Sequence, residues 1–592
     1  MTTIAERNAK DHKSISVAEF FERNKHLLGF ENDQKSLLTC VREAVDNALD
    51  ACEDARILPS IYLELKQLDP THFKLIIEDN GPGIVKQNIP NIFAKLLYGS
   101  KFNLKQSRGQ QGIGISASVL YSQLTTGKPT KIYSKIGDGN THIYELNINI
   151  KKNEPDIISE LTVDGDGHGT RIEMCIKGKY IRGKQSVEEY LMETAIMNPF
   201  ASIVYINPEG KQFEYPRAID TLPKAAEPIK PHPHGLELGI LMRLMKHTPS
   251  KNLTAFFTTE LSRVGRGNAV DICNRAGINP KTNPKRISRD DVEKLLNALN
   301  TAKIAKPPTD CLSPVDEDAI KKGLKKEMNP EFIAVMSRPP TVYKGYPFQI
   351  EVGIGYGGDL PAEGPISIMR FANKVPLLYQ QSSCVIAKSV IKLGWKRYGL
   401  KQSNGSIPLG PVAVTVHMAS VWVPYTSEGK EAIAAYPEIQ KEVTLALQGA
   451  ARKLGIYISK KRKSKEAEER LRAFDIYAGE LCVALSDLTG VEAEKIQTSL
   501  KQVVADKVGD TSIVLHGKGM EIQTDDGDDG MPKTPVSEQK EQEENNNNTP
   551  PPTQQPHPTE QSTTANENPQ SRLDIFNNDK TKKAPETEET SE

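Results

Sequence analysis

The sequence predicts a multidomain α/β protein in which a small all-helical module separates two mixed domains and a disordered tail follows. The chain has 592 residues, too many for one hydrophobic core, so several domains are expected. Apolar segments with the two-residue period of strands alternate with segments of helical period. From residue 525 onward the composition is too polar and proline-rich to bury a core.

The first mixed domain is predicted from Ile15 to Phe200. We expect a helix at QKSLLTCVREAVDNALDACEDA and strands at HFKLIIEDN, KIYSKIG, HIYELNINI and GTRIEMCIK. The pattern breaks near EPIKPHPHGLELG, and short helical segments joined by Gly, Pro and Asn turns continue to Lys306. This stretch predicts the helical module.

The second mixed domain follows AKPPTDCLSPVDEDAI. Strands are predicted at GYPFQIEVGIGYGG, ISIMRFANKVPLLY and GPVAVTVHMASVWVPY. Helices are predicted from Glu428 to Asp506, including the charge-dense SKKRKSKEAEERLRAF. The predicted domains are therefore 1–228, 229–306 and 307–521, with a low-complexity tail at 522–592.

Charge and cysteine content narrow the class of protein. The chain carries 76 Lys and Arg and 76 Asp and Glu, so a nucleic-acid partner would have to meet local basic patches. The 7 cysteines include no C-x-x-C pair, which favours reduced thiols over a zinc site or a disulfide framework. The polar start MTTIAERNAKDHKS and the lack of a long apolar run predict a soluble, intracellular protein with no membrane partner.

The stretch RGQQGIGISA, from Arg108 to Ala117, places three glycines directly before a helical segment. Backbone N–H groups without side chains in the way can surround a polyphosphate at the positive end of a helix. The alternative interpretation is a turn or a site of close packing.

The preceding helix contains REAVDNALDA, in which Glu43, Asn47 and Asp50 lie at positions i, i+4 and i+7. This spacing places all three side chains on one face of the helix. A carboxylate beside a carboxamide can polarise water and ligate Mg²⁺, which prefers oxygen donors. A solvated helix face is the alternative.

The segment IIEDNGPGI predicts a buried strand that ends at Asp79, followed by Gly81 and Gly83. The carboxylate could accept a hydrogen bond from an exocyclic amine, and the glycines would let a flat base approach the backbone. A tight turn is the alternative, since D-N-G-P-G is typical of turns. Further along lie YGSKF, with Ser100 and Lys101, and DGHGTRIEM, with Thr170.

These pieces, in this order, resemble the Bergerat (GHKL) ATP-binding α/β sandwich shared by gyrase, Hsp90, histidine kinases and MutL. The resemblance implies ATP hydrolysis, with Glu43 as general base, Asn47 as Mg²⁺ ligand and Asp79 as the adenine reader. Gly83 and Thr170 would complete the adenine pocket. The residues implied to wrap the phosphates are Gly109, Gln110, Gln111, Gly112, Ile113, Gly114, Ile115 and Ser116, with Ser100 and Lys101 in the lid.

From Ser14 to Asp506 the arrangement resembles the B subunits, the ATPase subunits, of the type IIB DNA topoisomerase VI family. The helical insert resembles a helix-two-turns-helix module, and the following strands and long C-terminal helix resemble a transducer domain. Lys430, in SEGKEAIA, would be the switch lysine that the transducer delivers to the γ-phosphate. An ordinary surface lysine is the alternative.

Two stretches mix cations with aromatic residues and are similar to DNA-sensing positions of that family. KGKYIRGK contains Lys177, Lys179 and Arg182, and GWKRYG contains Trp395, Lys396, Arg397 and Tyr398. Such residues suit phosphate contact and stacking on sugars or bases. Solvated basic loops are the alternative. The helical module adds weaker candidates at Lys251, Arg263 and Arg266.

The resemblance also implies partners. ATP would dimerise two copies of this chain and trap a second DNA duplex, and the A subunit of topoisomerase VI, in an A2B2 heterotetramer, would cleave the DNA. The location implied is the cytoplasm, at the nucleoid of an archaeon. An Hsp90-like chaperone ATPase is the alternative function, and it predicts no stimulation of hydrolysis by duplex DNA.

Overall fold

The computed structural model describes residues 12, 14–100, 103–109, 112–137, 139–165, 167–427 and 429–508, without the side chains of residues 471, 474, 475, 501 and 504–508. The predicted tail, 522–592, lies outside the described residues. Two compact units are present: the first runs through Ser459, and the second begins at Lys460. Among the described helices, none is long and apolar enough to cross a membrane.

The N-terminal domain is built on an eight-stranded sheet of order β5-β4-β3-β6-β2-β1-β7-β8. All neighbouring strands are antiparallel except β1 and β7, which are parallel. Helices α2, α3 and α4 pack against the sheet. The elements are α1 (Val17–Arg23), α2 (Asp33–Asp54), β1 (Ser60–Asp69), β2 (His72–Asp79), α3 (Ile89–Ala94), α4 (Gly114–Thr126), β3 (Thr130–Ile136), β4 (Asn140–Asn149), β5 (Glu154–Asp164), β6 (His168–Lys177), α5 (Val187–Met197), β7 (Ser202–Ile206) and β8 (Gln212–Tyr215).

The helical module has a hydrophobic core of its own. It contains α6 (Leu238–His247), α7 (Leu253–Glu260), α8 (Arg266–Arg275) and α9 (Arg289–Thr301). Phe256, Phe257 and Leu295 are fully buried at its centre. The side chains of Asn252 and Ser288 accept backbone N–H bonds at the starts of α7 and α9, which fixes where these helices begin.

The second α/β domain is built on a six-stranded sheet of order β10-β11-β14-β12-β13, in which β9 also pairs with β11. The fully buried β14 runs parallel to β12 and antiparallel to β11. The elements are α10 (Glu317–Met328), β9 (Phe332–Ser337), β10 (Thr341–Tyr343), β11 (Tyr346–Tyr356), β12 (Ser367–Ala372), β13 (Val375–Pro376), α11 (Val385–Lys392), β14 (Val412–Ser420), α12 (Pro437–Thr489) and α13 (Ala493–Val508).

The two α/β domains share a small hydrophobic core. Ile196 and Met197, at the end of α5, are buried together with Ile320 and Leu324 of α10. The helices approach closely at Gly323, where a Cβ atom would lie 2.2 Å from the carbonyl oxygen of Ile196. Only glycine allows this contact between the two backbones.

The predicted helix is wrong for residues 429–436. This segment is irregular, and α12 begins at Pro437, because proline is accepted in the first turn of a helix but not in its interior. The segment ISIMRFANKVPLLY contains two strands, β12 and β13, with Asn373 and Lys374 between them. The strands predicted from the sequence pattern do not include β1, β5, β7, β8, β9 or β10.

Candidate active site

A cavity of about 290 Å³ lies in the N-terminal domain, and Lys430 of the second α/β domain reaches it. The predicted residues that line this cavity are Glu43, Asn47, Asp50, Asp79, Gly83, Ser100, Gly109, Gly112, Ile113, Gly114, Ile115, Thr170 and Lys430. Ser116 lies just beyond the wall, where its hydroxyl donates to the carbonyl of Ile113 at 3.1 Å. Lys101, Gln110 and Gln111 lie outside the described residues.

Helix α2 forms one wall of the cavity, which Glu43, Asn47 and Asp50 line. The side chain of Asn32 accepts the N–H of Lys35 and caps the helix. Glu43 is buried. A Cβ atom on Gly114 would lie 1.8 Å from Oε2 of Glu43. Helix α4 can therefore approach α2 only because residue 114 has no side chain. One turn further along α2, the Nδ2 of Asn47 donates to the carbonyl of Glu43 at 2.7 Å.

Asp79 ends strand β2, opposite Thr170 of β6. Its Oδ1 accepts the N–H of Gly81 at 2.8 Å. Burial raises the pKa of Asp79 to about 7, against the opposing effect of the Gly81 and Thr170 N–H groups. Gly83 has a φ of 73°, and a Cβ atom there would lie 1.8 Å from the carbonyl oxygen of Lys135. This backbone path past the cavity therefore requires glycine.

Helix α4 begins at Gly114, directly after Ile113 and Gly112, and all three residues line the cavity. Gly112 has a φ of 66°, in the left-handed region that glycine favours. The first N–H groups of a helix have no partner within the helix, and together with the helix dipole they attract an anion. The 13-residue α4 thus presents an anion-binding end to the cavity.

Lys430 lies in the irregular segment between β14 and α12, and is 5% exposed. Its Nζ donates to the carbonyl of Arg108 at 3.2 Å and lies 4.0 Å from Oε1 of Glu43. Its φ of 52° is left-handed, which is uncommon for a residue with a side chain. The backbone is thus held in an unfavourable conformation while the ammonium faces the carboxylate.

Two contacts between the domains hold the segment that carries Lys430. The Nη1 of Arg42 donates to the carbonyl of Gly429 at 3.1 Å, and its Nη2 lies 3.1 Å from Oε1 of Glu43. Lys35 and Glu431 form a buried ion pair. Helix α2 therefore positions both the carboxylate and the lysine that approaches it.

Sequence reasoning missed several charged residues around Glu43. Asp46 is buried. Its pKa is raised to about 6, mainly by burial and secondly by repulsion from the carboxylate of Glu43. The hydroxyl of Tyr190 donates to Asp46 at 3.0 Å. The Nη1 of Arg108 lies 2.8 Å from Oδ1 of Asp50, so the carboxylate of Asp50 forms an ion pair beside the cavity. Asp46, Asp50 and Arg108 lie in the quoted motifs and Tyr190 does not, and no local pattern indicates which residues pair.

The predicted DNA-contact residues differ in accessibility. Trp395 is fully buried, its Nε1 donates to the carbonyl of Val390 at 2.7 Å, and Tyr398 is buried beside it. These two rings belong to the core, so the predicted stacking on DNA is wrong for them. Lys396 and Arg397 are exposed. Lys179 and Arg182 are also exposed; Arg182 pairs with Glu209 at 3.1 Å, and the partly exposed Lys177 pairs with Asp33 at 3.4 Å.

The chain joins an ATPase domain of the GHKL class to a transducer domain, as two family models show. The family model described as histidine kinase-, DNA gyrase B- and HSP90-like ATPase matches residues 32–178. The model described as topoisomerase VI B subunit, transducer, matches residues 307–470. The predicted fold class is thereby confirmed for these two domains.

Three archaeal relatives are named as B subunits of type 2 DNA topoisomerase 6. The protein from Methanosarcina barkeri is 49% identical over 520 residues, which cover 87% of this chain and 83% of that protein. The protein from Archaeoglobus fulgidus is 49% identical over 460 residues, 76% of this chain and 75% of that protein. The protein from Thermococcus gammatolerans is 37% identical over 538 residues, 82% of this chain and 94% of that protein.

This chain belongs to the family of type 2 DNA topoisomerase 6 B subunits. It is an ATP-hydrolysing subunit of a type II topoisomerase. The chaperone-like alternative is not favoured, because the transducer match lies outside the part that all GHKL ATPases share.

Proposed function

We propose that ATP is hydrolysed in the described cavity, with adenine at Asp79 and the phosphates at the start of α4. The observation that carries this proposal is the 4.0 Å approach of Lys430 to Glu43, because the two residues come from different domains and meet at the cavity. A base for the attacking water and a cation for the γ-phosphate are the two groups that phosphoryl transfer to water needs there.

In this proposal, Glu43 accepts a proton from the water that attacks the γ-phosphorus. Arg42 holds the carboxylate in place through its contact with Oε1. Lys430 and the first N–H groups of α4 stabilise the negative charge of the phosphoryl group as it leaves the ADP oxygen. Gly109, Gly112, Ile113 and Ile115, with Ser100 on the lid side, surround the phosphates through their backbones.

The donor set of the cavity fits Mg²⁺. In the described part of the chain, no group of three His, Cys, Asp or Glu side chains could hold a metal ion. A magnesium ion bound through substrate phosphates, water and one or two protein oxygens needs no such cluster. Because the Nδ2 of Asn47 bonds to Glu43, Oδ1 is the atom that would ligate the metal. The bound ion would neutralise charge on the β- and γ-phosphate oxygens.

We also propose the assembly. Two copies of the chain would join when ATP binds, and would act with two A subunits that cleave DNA, at the nucleoid. The exposed cations Lys179, Arg182, Lys396 and Arg397, with the partly exposed Lys177, are suited to contact the DNA backbone. Such contacts would orient the duplex without reading its sequence.

The first experiment measures steady-state ATP hydrolysis by the chain assembled with its A subunit, with and without supercoiled plasmid, followed by gel analysis of the plasmid. We expect hydrolysis to rise with DNA and the plasmid to relax only when ATP is present. If DNA does not change the rate of ATP hydrolysis and the plasmid stays supercoiled, the proposed strand-passage function is contradicted. Only the proposed ATPase activity would then be supported.

Nucleotide affinity should depend on the ionisation of Asp79. The 6-amino group of adenine donates a hydrogen bond, so the carboxylate, with its negative charge, accepts it more strongly than the protonated carboxyl does. With a pKa of about 7, lowering the pH from 8 to 6 should weaken binding of a non-hydrolysable ATP analogue by up to about tenfold. Calorimetric titration at the two pH values measures this change.

The matched control for Asp79 is the same analogue without its 6-amino group. Titration of the phosphates affects both ligands equally, whereas only the adenine ligand needs the carboxylate. We expect the control ligand to show less loss of affinity at pH 6, and an equal loss for both ligands would contradict the role of Asp79.

A further inference from the structure

The segment that leads into the glycine stretch is bound to the transducer at several points. We call residues 104–109 the lid root. The side chain of Gln106 donates to the carbonyl of Ser313 at 2.8 Å and accepts its N–H at 2.8 Å. Asn373 donates to the carbonyl of Ser107 at 3.1 Å, from the turn between β12 and β13. The lid root therefore contacts the transducer independently of Lys430.

A buried charge cluster extends this contact. Arg108 pairs with Asp50 at 2.8 Å and with Glu53, both on α2. The Nζ of Lys374 lies 2.8 Å from Oε2 of the same Glu53. Two cations thus face two carboxylates, and Arg108 and Lys374 are each only 3% exposed. Burial opposes ionisation of Glu53, but Arg108 and Lys374 outweigh it and lower the pKa of the carboxyl.

The backbone of Lys374 is fixed to the centre of the transducer sheet. Its N–H donates to Nε2 of His417 at 3.0 Å. Because Nε2 accepts, the proton of the neutral ring lies on Nδ1, which faces Glu351 at 2.8 Å. Glu351 also accepts the N–H groups of Val315 and Asp316, both at 2.9 Å. A continuous polar path therefore joins α2 to the sheet.

The turn that carries Lys374 is strained. Asn373 has a φ of 48° and Lys374 a φ of 68°. In a two-residue hairpin turn of this kind, the second position favours glycine. Lysine there costs free energy that glycine would not, and such strain is retained where the side chain has a function. The function that the structure offers is the ion pair with Glu53.

We propose that Lys374 is a positioning residue that couples the lid root to the transducer, an inference that rests on the proposed function of the cavity. A change at the phosphates moves the lid root, which includes Arg108. Because Arg108 pairs with Glu53, this movement also shifts Glu53. Lys374 then carries the displacement into the turn and, through His417, into the sheet. Each domain thereby biases the position of the other.

The test is Lys374→Gly in the complete complex that the chain forms with plasmid DNA and its A subunit. The substitution relieves the turn and removes the whole side chain, including the ammonium that faces Glu53. We expect kcat for DNA-stimulated ATP hydrolysis to fall at least about tenfold, with KM for ATP changed less than about threefold. Lys374→Arg should restore at least half of kcat, because it keeps a cation opposite Glu53.

The matched control is Lys344→Gly. Lys344 is an exposed lysine with a φ of 45° in another turn of the transducer sheet, away from the cavity. It should retain the kcat of the unsubstituted complex. An equal loss of kcat in Lys344→Gly, or an unchanged kcat in folded Lys374→Gly, would overturn the proposal.

A double-mutant comparison keeps the proposal testable if one variant is unstable. Glu53→Gln should lower kcat as Lys374→Gly does, and the double variant should be no slower than the slower single variant. Fully additive losses would overturn the coupling. Glu43→Gln in the same assay distinguishes failure of the proposed function from failure of the Lys374 coupling. If this variant hydrolyses ATP normally, the proposed function of the cavity fails, whatever the result for the Lys374 variants.

Discussion

Glu43→Gln is expected to lower the rate of ATP hydrolysis by about 10²–10⁴-fold while nucleotide binding is retained. Glutamine has the size of glutamate and fits the narrow space beside Gly114, where Oε2 lies 1.8 Å from the position of an added Cβ. It can still contact Arg42, but it cannot accept the proton of the attacking water. Single-turnover hydrolysis and calorimetric binding of an ATP analogue measure the two effects separately.

Glu214→Gln is the control for the Glu43 variant. Glu214 is an exposed carboxylate on β8, at the edge of the same sheet, and it does not line the cavity. Its substitution should leave hydrolysis unchanged. Normal hydrolysis by the Glu43 variant would contradict the role of Glu43 as the base and with it the proposed function of the cavity. Loss of binding would show that Glu43 acts on the bound nucleotide instead.

Lys430→Met is expected to lower hydrolysis by about 10²–10³-fold, the typical cost of removing one group that stabilises developing charge. Methionine keeps much of the length of the side chain in its buried position but cannot neutralise the γ-phosphate. The dissociation constant of the nucleotide should change far less, because Asp79 and α4 provide the remaining contacts. Stimulation by DNA should also be lost, since this lysine belongs to the transducer.

Lys344→Met is the control for the Lys430 variant. Both lysines have left-handed backbones in the same domain, but Lys344 is exposed and lies outside the cavity. Its substitution should leave kcat and DNA stimulation intact. A Lys430 variant with weakened nucleotide binding and unchanged kcat would contradict the assigned role.

Residues within one short motif could be predicted from the sequence. The spacing of Glu43 and Asn47 requires only helical geometry, and Asp79 requires only a strand that ends where a turn begins. The glycines before α4 could also be predicted from a short stretch of sequence, because a helix directly follows them. These residues line one cavity, and their local positions depend on few distant contacts.

Partners that are distant along the chain could not be predicted. Arg108 and Asp50 are 58 positions apart, and Lys374 and Glu53 are 321 positions apart. No periodicity or motif connects such pairs, and charge alone does not distinguish a buried ion pair from a solvated one. Trp395 shows the same limit, since its basic neighbours suggest a surface although the ring is packed in a core.

The contact between α5 and α10 has a consequence for how the protein folds. Ile196 and Met197 of the ATPase domain are buried with Ile320 and Leu324 of α10, in a cluster separate from the main core of that domain. A fragment that stops before α10 would expose this apolar cluster to water. We therefore expect the two domains to stabilise each other and to unfold together, although each has its own sheet.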